Sequence, residues 1–297
     1  MSPTPPPDGF AIGHWTAPYA PTGCTVILPP AGTRAGVDVR GGGPGTRETD
    51  VIDPLANPQE ATAVLFTGGS AHGLAAADGV VRWCEEHDRG YLTPAGLVPL
   101  VPAAVIYDLN ADPGGEGVVR PGSDSGHAAC EAARPGVPER GSIGAGRGAA
   151  VAKALGRGAA APGGVGYAAT TTGAGEHVAV LAVVNATGDI LGPGGDQLAA
   201  GVEPPGAPPE RQSTTLACVI TDAGLDKLGC AKVARMASAG VARAVDPVFT
   251  PFDGDVVFCL SDGVPREDPW QLIRIGSVAA SLVAAAIRDG VRQAAGN

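Results

Sequence analysis

One junction restricts the fold of this chain more than any other feature. A proline-rich segment ends at three consecutive hydroxyl residues, and an apolar run follows at once. The prolines are Pro204, Pro205, Pro208 and Pro209, and the hydroxyl residues are Ser213, Thr214 and Thr215. The run at 215–220 is typical of a strand. The hydroxyl residues therefore lie where a loop meets a strand, held on the strand side and accessible to cleavage on the loop side.

This junction has two interpretations from the local sequence. Cleavage before one of the hydroxyl residues would give that residue a free α-amine beside its own hydroxyl, so that one residue supplies both nucleophile and base. Threonine also favours strands, so an ordinary start of a strand explains the same residues. Both interpretations stay open at this point.

The composition predicts an α/β protein with many tight turns. Of the 297 residues, 44% are hydrophobic but only 4% are aromatic, and the chain contains 46 glycines and 28 prolines. The core must therefore consist mainly of alanine, valine, leucine and isoleucine. The length permits one large domain or two modest ones. The formal net charge of −10, without a cluster of Lys and Arg, argues against nucleic acid or an anionic membrane surface as a partner.

Other features of the sequence argue against metal binding, secretion and membrane insertion. Six cysteines are scattered without a Cys-x-x-Cys pair, and several lie inside apolar runs, which predicts reduced, buried thiols. The five histidines form no pair at metal-ligand spacing, so we predict no metal and no cofactor. Residues 1–22 contain no Lys or Arg and no apolar segment typical of a secretion signal. Because the run at 278–287 contains Ser281 and is too short to span a bilayer, we expect a cytoplasmic protein.

Hydrophobic periodicity divides the chain into strands and helices. We predict strands at 24–28, 35–40, 61–66, within 97–109, and at 164–172, 177–184, 215–220 and 256–260. We predict helices from residue 70 and at 127–134, 225–244 and 270–295. The short loop between the first two strands is compatible with a hairpin.

Three glycine-rich stretches resemble binding motifs. The run at 41–45 permits close approach of the backbone to another element or to a ligand, or forms a surface loop. The segment around Ser70 resembles a nucleophile elbow, but His72 occupies the place of the second glycine. The stretch at 141–149 matches a dinucleotide fingerprint in spacing, yet neither the preceding strand nor the later acidic residue is present. We interpret it as a glycine-rich start of a helix through Lys153, for close packing or anion binding.

Five collinear motifs point to one family. They are Thr67-Gly68-Gly69-Ser70 with the helix that follows, residues 141–153, Val184-Asn185-Ala186, Ser213-Thr214-Thr215-Leu216 and Asp253-Gly254-Asp255. Together they cover nearly the whole chain and resemble the DmpA-type L-aminopeptidase/D-esterase family, which includes the nylon-oligomer hydrolases. The resemblance implies a single domain over residues 1–297 with a four-layer α/β/β/α sandwich like that of ornithine acetyltransferase.

The resemblance also implies that the chain cuts itself. Processing would give chains 1–213 and 214–297, assembled as a homotetramer of processed heterodimers that acts on small amide, peptide or ester substrates. Thr214 matches the nucleophile, whose hydroxyl would attack the carbonyl of Ser213. The α-amine released at Thr214, with a pKa near roughly 8, would then accept the hydroxyl proton. Relatives commonly have Asn or Gly before the nucleophile, whereas this chain has Ser213 at that position. Because Ser213 also carries a hydroxyl, it is the alternative nucleophile if the cut falls after Gln212.

The same resemblance assigns supporting roles to five residues. Asn185 matches an asparagine that donates to the tetrahedral oxyanion. Lys153 matches a lysine whose charge keeps the α-amine deprotonated or stabilises the anion, and Tyr107 matches a tyrosine near the oxyanion. Asp253 and Asp255 match carboxylates that orient the α-amine or receive a substrate amine. A turn Asn, a helix Lys, a strand-end Tyr and an Asp-Gly-Asp turn are also ordinary structural features.

Two other functions fit the same motifs. Ser213 at the position before the nucleophile is compatible with a homologue that no longer cleaves and binds a small anionic molecule through its glycine loops. An enzyme on the same fold that transfers its acyl group to an amine, and not to water, is the second alternative.

Overall fold

The chain folds around two five-stranded sheets, and a computed structural model describes residues 4–58, 60–109, 119–154, 160–200 and 213–296. The strands of the described residues are, in chain order, β1 (Ala11–Thr16), β2 (Gly23–Leu28), β3 (Arg34–Val39), β4 (Thr46–Arg47), β5 (Val64–Thr67), β6 (Tyr91–Thr93), β7 (Gly96–Val98), β8 (Ala103–Val105), β9 (Ala150–Val151), β10 (Ala161–Pro162), β11 (Gly164–Thr171), β12 (His177–Asn185), β13 (Asp189–Leu191), β14 (Gln197–Ala199), β15 (Thr214–Thr221), β16 (Val245–Asp246) and β17 (Val256–Ser261). The α-helices are α1 (Ala76–Glu86), α2 (Ser123–Glu131), α3 (Lys227–Ala242) and α4 (Gln271–Ala295), and 3₁₀ turns occupy Thr49–Ile52, Ser70–Ala75 and Gly144–Gly146. The α/β class predicted from the composition is confirmed.

β15 is the middle strand of the second of the two five-stranded sheets. The first sheet has the order β1-β2-β5-β8-β4, and the second has the order β11-β12-β15-β17-β3. Within the second sheet β15 is antiparallel to β12 and parallel to β17. The three hydroxyl residues Ser213, Thr214 and Thr215, hereafter the hydroxyl junction, thus lie at the start of the middle strand of that sheet.

The inner strands of the second sheet are apolar on both faces. Leu181 of β12 and Leu216 of β15 join an apolar cluster that includes Phe66 of the first sheet. Their neighbours Ala182 and Ala217 join a second cluster with residues of α3 and α4. Because successive side chains of a strand point to opposite faces, burial on both faces requires an uninterrupted apolar run. This explains why the strands predicted at 177–184 and 215–220 are confirmed.

The outer face of the first sheet is covered by two short helices. Cys24 and Leu65 of the sheet share an apolar cluster with Val80 of α1 and Ala129 of α2. All six cysteines are buried and unpaired, as predicted. Burial in an apolar site disfavours the thiolate, which raises the pKa of Cys84 to about 11.

The hairpin predicted for residues 24–40 is wrong. β2 lies in the first sheet between β1 and β5, whereas β3 is the edge strand of the second sheet beside β17. The loop between them therefore crosses from one sheet to the other. The loop is short enough for a hairpin, but both edges of β2 are hydrogen-bonded to other strands, β1 and β5, so β3 cannot pair with it.

The helix predicted through Lys153 is also wrong for the described residues. After the 3₁₀ turn at Gly144–Gly146 the chain forms β9, and Ala152 adopts a left-handed conformation with φ of 57°. The N–H groups of Ala152 and Lys153 donate to Gly188 and Thr187. Those bonds replace the i to i−4 bonds that a helix would need.

Helix α4 is a core helix of this fold. Within the described part of the chain it is the one helix whose length and composition would suffice to cross a membrane, and it contains the shorter apolar run at 278–287. Half of the most apolar 18-residue stretch of this helix is buried in the protein. Its residues Ile275, Val283 and Ile287 join the cluster under the second sheet, and buried helices share that composition.

Glycine allows α4 to approach β11 closely. A Cβ added at Gly166 would lie 1.9 Å from the carbonyl oxygen of Ala286 and 2.4 Å from the nitrogen of Gly290. Both of those atoms belong to the backbone of α4, so relief of the clash requires movement of the whole helix.

We predict that Gly166→Ala lowers the free energy of unfolding by about 2–4 kcal/mol, measured by urea denaturation. Gly173→Ala is the matched control, because a Cβ at Gly173 meets nothing within 4 Å. The control should leave stability unchanged or raise it by up to about 1 kcal/mol. Equal stability of the two variants would contradict the close packing of α4 on β11.

Candidate active site

The hydroxyl junction lines a cleft of about 170 Å³ at the end of the second sheet. The cleft is lined by Ser213 and Thr214 together with Gly43, Pro44, Gly45, Ser70, Ala71, Val105, Tyr107 and Phe252. Thr214 is the first residue of β15 and pairs with Asn185, the last residue of β12. Its hydroxyl donates a hydrogen bond of 2.6 Å to the carbonyl oxygen of Ser213. The side chain of the predicted nucleophile thus contacts the peptide bond predicted to break.

The carbonyl of Ser213 is held from a second direction. The N–H of Gly254 donates to its oxygen at 2.7 Å, and the N–H of Ser213 makes a longer contact of 3.4 Å with the carbonyl oxygen of Phe252. Ser213 therefore pairs with Asp253 as a one-residue parallel bridge. This bridge continues the register of β15 and β17, in which Leu216 lies opposite Val256.

Asn185 and Lys153 form a buried polar pair beside Thr214. The ammonium of Lys153 donates to the side-chain oxygen of Asn185 at 2.9 Å and to its carbonyl oxygen at 3.0 Å. The same side-chain oxygen accepts from the N–H of Ala150 at 3.0 Å. The amide nitrogen of Asn185 donates at 3.1 Å to the carbonyl oxygen of Tyr107, which takes one of its two hydrogens.

The two carboxylates of the Asp-Gly-Asp turn accept mainly from backbone N–H groups. Asp253 accepts from the N–H of Thr250 at 2.7 Å and from the hydroxyl of Thr187 at 3.2 Å. Asp255 accepts from the N–H of Thr215 at 2.6 Å and from that of Phe249 at 3.3 Å. Asp255 is thus bonded to the residue that follows the predicted nucleophile.

Burial controls the ionisation of Asp255. Desolvation and then the charge of Asp253 raise the pKa of Asp255 to about 7, against the smaller opposing effect of the N–H groups of Thr215 and Phe249. The bonds at this carboxyl therefore compensate only part of the cost of removing its charge from water.

The turn after β5 forms another wall of the cleft. Its Gly69 N–H donates at 2.7 Å to the buried carboxylate of Asp108, and its Ser70 N–H donates at 3.0 Å to Ile106. Ser70 has a left-handed φ of 52°. Ser70, the serine of the segment that resembles a nucleophile elbow, therefore lines the cleft in an uncommon backbone conformation.

The glycine run at 41–45 approaches another element closely, as one of its two interpretations predicted. A Cβ at Gly41 would lie 2.0 Å from the carbonyl oxygen of Asp253, and the N–H of Gly43 donates to that same oxygen at 2.8 Å. The run therefore holds the Asp-Gly-Asp turn against the junction.

The structure brings all six predicted residues to one end of the second sheet. Thr214 and Tyr107 line the cleft, and hydrogen bonds or strand pairing connect the other four to the junction. Sequence analysis gave no role to Gly254 or Phe252, whose backbone groups form hydrogen bonds with Ser213. The glycine between the two aspartates was the available signal for Gly254. No group of three His, Cys, Asp or Glu side chains in the described part of the chain is arranged to hold a metal.

Known proteins of one peptidase family are similar to almost the whole chain. The model of peptidase family S58 matches residues 8–296. An uncharacterized aminopeptidase of Mycobacterium tuberculosis is 41% identical over 97% of this chain and 89% of its own length. A 6-aminohexanoate-oligomer endohydrolase of Agromyces sp. is 30% identical over 85% of this chain and 73% of its own length.

Two solved structures share the fold. A Burkholderia sp. beta-aminopeptidase has a TM-score of 0.72 at 22% identity and covers 95% of this chain and 84% of its own. The L-aminopeptidase D-Ala-esterase/amidase of Ochrobactrum anthropi, described as a variant of the Ntn hydrolase fold, has a TM-score of 0.67 at 21% identity with the same coverage. At this identity the likeness concerns the fold alone.

We predict that Asp255 makes stability depend on pH. Its raised pKa means that this carboxyl binds more protons in the folded chain than in the unfolded chain between about pH 4 and 7, so its contribution to the free energy of unfolding falls as pH rises through that range. Burial lowers the pKa of His14 to about 4, which makes a contribution of opposite sign, so the contribution of Asp255 is the difference between the parent and a variant without this carboxyl. The fall should amount to a few kcal/mol, because each tenfold difference in proton affinity between the folded and unfolded chains is worth on the order of 1.4 kcal/mol. Urea denaturation at several pH values, in a Thr214→Ala background without the junction hydroxyl, measures it.

Asp255→Asn should lose this contribution, so its free energy of unfolding relative to that of its parent should rise between about pH 4 and 7, in addition to a pH-independent offset from its altered hydrogen bonds. Asp124→Asn is the control, since the carboxyl of Asp124 is 96% exposed and should leave the slope unchanged. A slope in Asp255→Asn equal to that of its parent would contradict the assignment.

Proposed function

The chain belongs to peptidase family S58 and is a hydrolase with the amino-terminal-nucleophile fold, and from that premise we propose that Thr214 is its nucleophile. Cleavage of the bond between Ser213 and Thr214 would divide the chain into 1–213 and 214–297. The processed enzyme would act as an aminopeptidase or amidase on small amide, peptide-like or ester substrates. The curated relatives are named as aminopeptidases and as a hydrolase of 6-aminohexanoate oligomers, which supports amide hydrolysis as the reaction.

One observation carries the proposal. The carbonyl oxygen of Ser213 accepts at the same time from the hydroxyl of Thr214 at 2.6 Å and from the N–H of Gly254 at 2.7 Å. A nucleophile and a fixed donor thus contact one peptide group at the edge of a cleft. An ordinary start of a strand does not need that arrangement.

Self-cleavage follows from this geometry as an N-to-O acyl shift. The oxygen of the Thr214 hydroxyl bonds to the carbonyl carbon of Ser213, and negative charge develops on the carbonyl oxygen, where the N–H of Gly254 stabilises it. The C–N bond then breaks, and the nitrogen of Thr214 takes a proton to become an amine. Water hydrolyses the resulting ester, which leaves a carboxylate on Ser213 and restores the hydroxyl of Thr214.

Hydrolysis of a substrate uses the α-amine that self-cleavage releases. The amine takes the proton of the Thr214 hydroxyl as the hydroxyl attacks the substrate carbonyl, and then gives it to the leaving group, which leaves the acyl group on Thr214 as an ester. Water then hydrolyses this acyl-enzyme, which releases the acid and restores the hydroxyl of Thr214. The buried ammonium of Lys153 donates a hydrogen bond to the side-chain oxygen of Asn185. Asn185 is the residue that pairs with Thr214 in the sheet. The positive charge of Lys153 disfavours protonation of the nearby amine, which keeps the base active at neutral pH.

The other predicted residues position the nucleophile. Asn185 uses one amide hydrogen on Tyr107, and we propose that the other supports the oxyanion, with Tyr107 forming the wall of the cleft. Asp255 fixes the start of β15 through the N–H of Thr215. Asp253 fixes the turn that carries Gly254 through the N–H of Thr250.

The finer architecture belongs to the same proposal. Three apolar clusters lie between α1 and α2 and the first sheet, between the two sheets, and between the second sheet and α3 and α4. They support a four-layer α/β/β/α sandwich. Assembly into a tetramer of processed heterodimers, which the family resemblance implies, and a cytoplasmic location, which the sequence leads us to expect, complete the proposal.

We predict that the purified protein consists of two fragments whose masses divide between Ser213 and Thr214. Thr214→Val, which keeps the shape but removes the hydroxyl, should give one intact chain without amidase activity. Ser213→Ala should still be cut, because its own hydroxyl takes no part. Mass spectrometry of the three proteins, with Edman sequencing of the smaller fragment, measures the outcome.

The same variants distinguish the two possible cleavage sites. If Ser213 were the nucleophile, the smaller fragment would begin at Ser213, Ser213→Ala would remain intact, and Thr214→Val would be cut. A Thr214→Val protein that hydrolyses amides at the parent rate would contradict the proposed mechanism altogether.

We also predict that Lys153 sets the acidic limb of the pH dependence of kcat/KM. Lys153→Met removes a positive charge, so the pKa of the α-amine rises and the acidic limb moves to higher pH, by about one unit. Lys227→Met is the matched control, because this second buried ammonium binds the carbonyl oxygens of Val51, Ala56 and Pro58. None of these three residues lines the cleft.

Both variants lose a buried ammonium, and both should lose stability. Only Lys153→Met should move the limb, and Lys153→Arg, which keeps the charge, should restore its position if the arginine fits. An identical shift in both lysine variants would show that the change arises from general destabilisation.

A further inference from the structure

The intact chain already holds an acyl group in its own cleft. Ser213 lies in the cleft with its carbonyl next to the Thr214 hydroxyl and its side chain buried. Its backbone pairs as a single parallel residue with the edge formed by residues 252–254, hereafter the 252–254 edge. The N–H of Gly254 holds its carbonyl, and the carbonyl of Phe252 accepts its N–H.

A substrate must bring its carbonyl to the same nucleophile. If Thr214 attacks both the Ser213 carbonyl and the substrate carbonyl, as in the proposed function on which this step rests, the two carbonyl carbons must occupy nearly the same position. Departure of Ser213 after cleavage vacates that position. The substrate acyl group then meets the same backbone donor and acceptor that held Ser213.

We infer that the 252–254 edge selects small α-aminoacyl groups by strand pairing. The N–H of Gly254 binds the substrate carbonyl oxygen, and the carbonyl oxygen of Phe252 binds the N–H attached to the α-carbon. In Ser213 these two groups flank one α-carbon. A β-aminoacyl group separates them by one more carbon and a 6-aminohexanoyl group by several more, so neither can make both bonds in this register.

The side chain of Ser213 indicates the size of the acyl residue. It is 2% exposed, and its hydroxyl has no hydrogen-bond partner among the residues that the structure describes. The surroundings therefore enclose a small side chain without requiring a polar one. An alanyl group matches this space and avoids the cost of an unsatisfied hydroxyl.

A series of p-nitroanilides tests the inference on the processed wild-type enzyme, so that no variant has to fold. The series contains L-alanyl, β-alanyl, 6-aminohexanoyl and isobutyryl p-nitroanilide. Isobutyryl is the matched control, because it replaces the α-amine of the L-alanyl group with a methyl group and keeps its branching. We expect kcat/KM to be highest for L-alanyl, by about tenfold over isobutyryl, which corresponds to one lost hydrogen bond.

For the β-alanyl and 6-aminohexanoyl compounds, kcat/KM should lie below the L-alanyl value by at least as large a factor as it does for the isobutyryl compound. Equal values for L-alanyl and isobutyryl, or a higher value for β-alanyl or 6-aminohexanoyl, would overturn the inference. When mass spectrometry shows a chain cut before Thr214, those results leave the proposed function intact. An uncut chain that hydrolyses none of the compounds would overturn the proposed function and the inference together.

Discussion

The parallel pairing of β15 with β17 is the interaction on which the candidate site depends. The pair lies in the second sheet, where apolar clusters on both faces hold it. Its register continues beyond the strand ends, so that Ser213 meets Asp253 in the same alignment as Leu216 meets Val256. In a parallel pair one residue bonds to the two neighbours of its partner. The carbonyl of Ser213 is therefore bound by Gly254, and the hydroxyl of Thr214 follows directly.

The polar groups around this pairing are buried, and their hydrogen bonds determine the shape of the site. Lys153 and Asn185 bond to one another, and Asn185 continues to Tyr107. Asp255 bonds to the N–H of Thr215. Buried polar groups are costly unless they are bonded, so each side chain is confined to one position. The same bonds that satisfy these groups link β12, β15 and the turn before β17 into one rigid frame.

Sequence patterns predicted elements well where burial is uniform. The strands at β12 and β15 were recognisable because both faces are covered and nearly every side chain is apolar. Two predictions failed where pairing partners lie far away in sequence. The segment 24–40 resembles a hairpin, but its two strands belong to different sheets. The segment around Lys153 resembles a helix, but its N–H groups bond to Thr187 and Gly188. In both cases distant backbone groups outcompeted the local preference.

The sequence by itself determined the loop-to-strand junction, the apolar strand that follows it and the chemical types of the six side chains predicted for the site. Side chains differ between residues, so their pattern carries that information. Only the tertiary structure decided which backbone groups meet the reactive peptide. The N–H of Gly254 and the carbonyl of Phe252 are groups that nearly every residue possesses. Their position opposite Ser213 arises from sheet register, which depends on the packing of both sheets together.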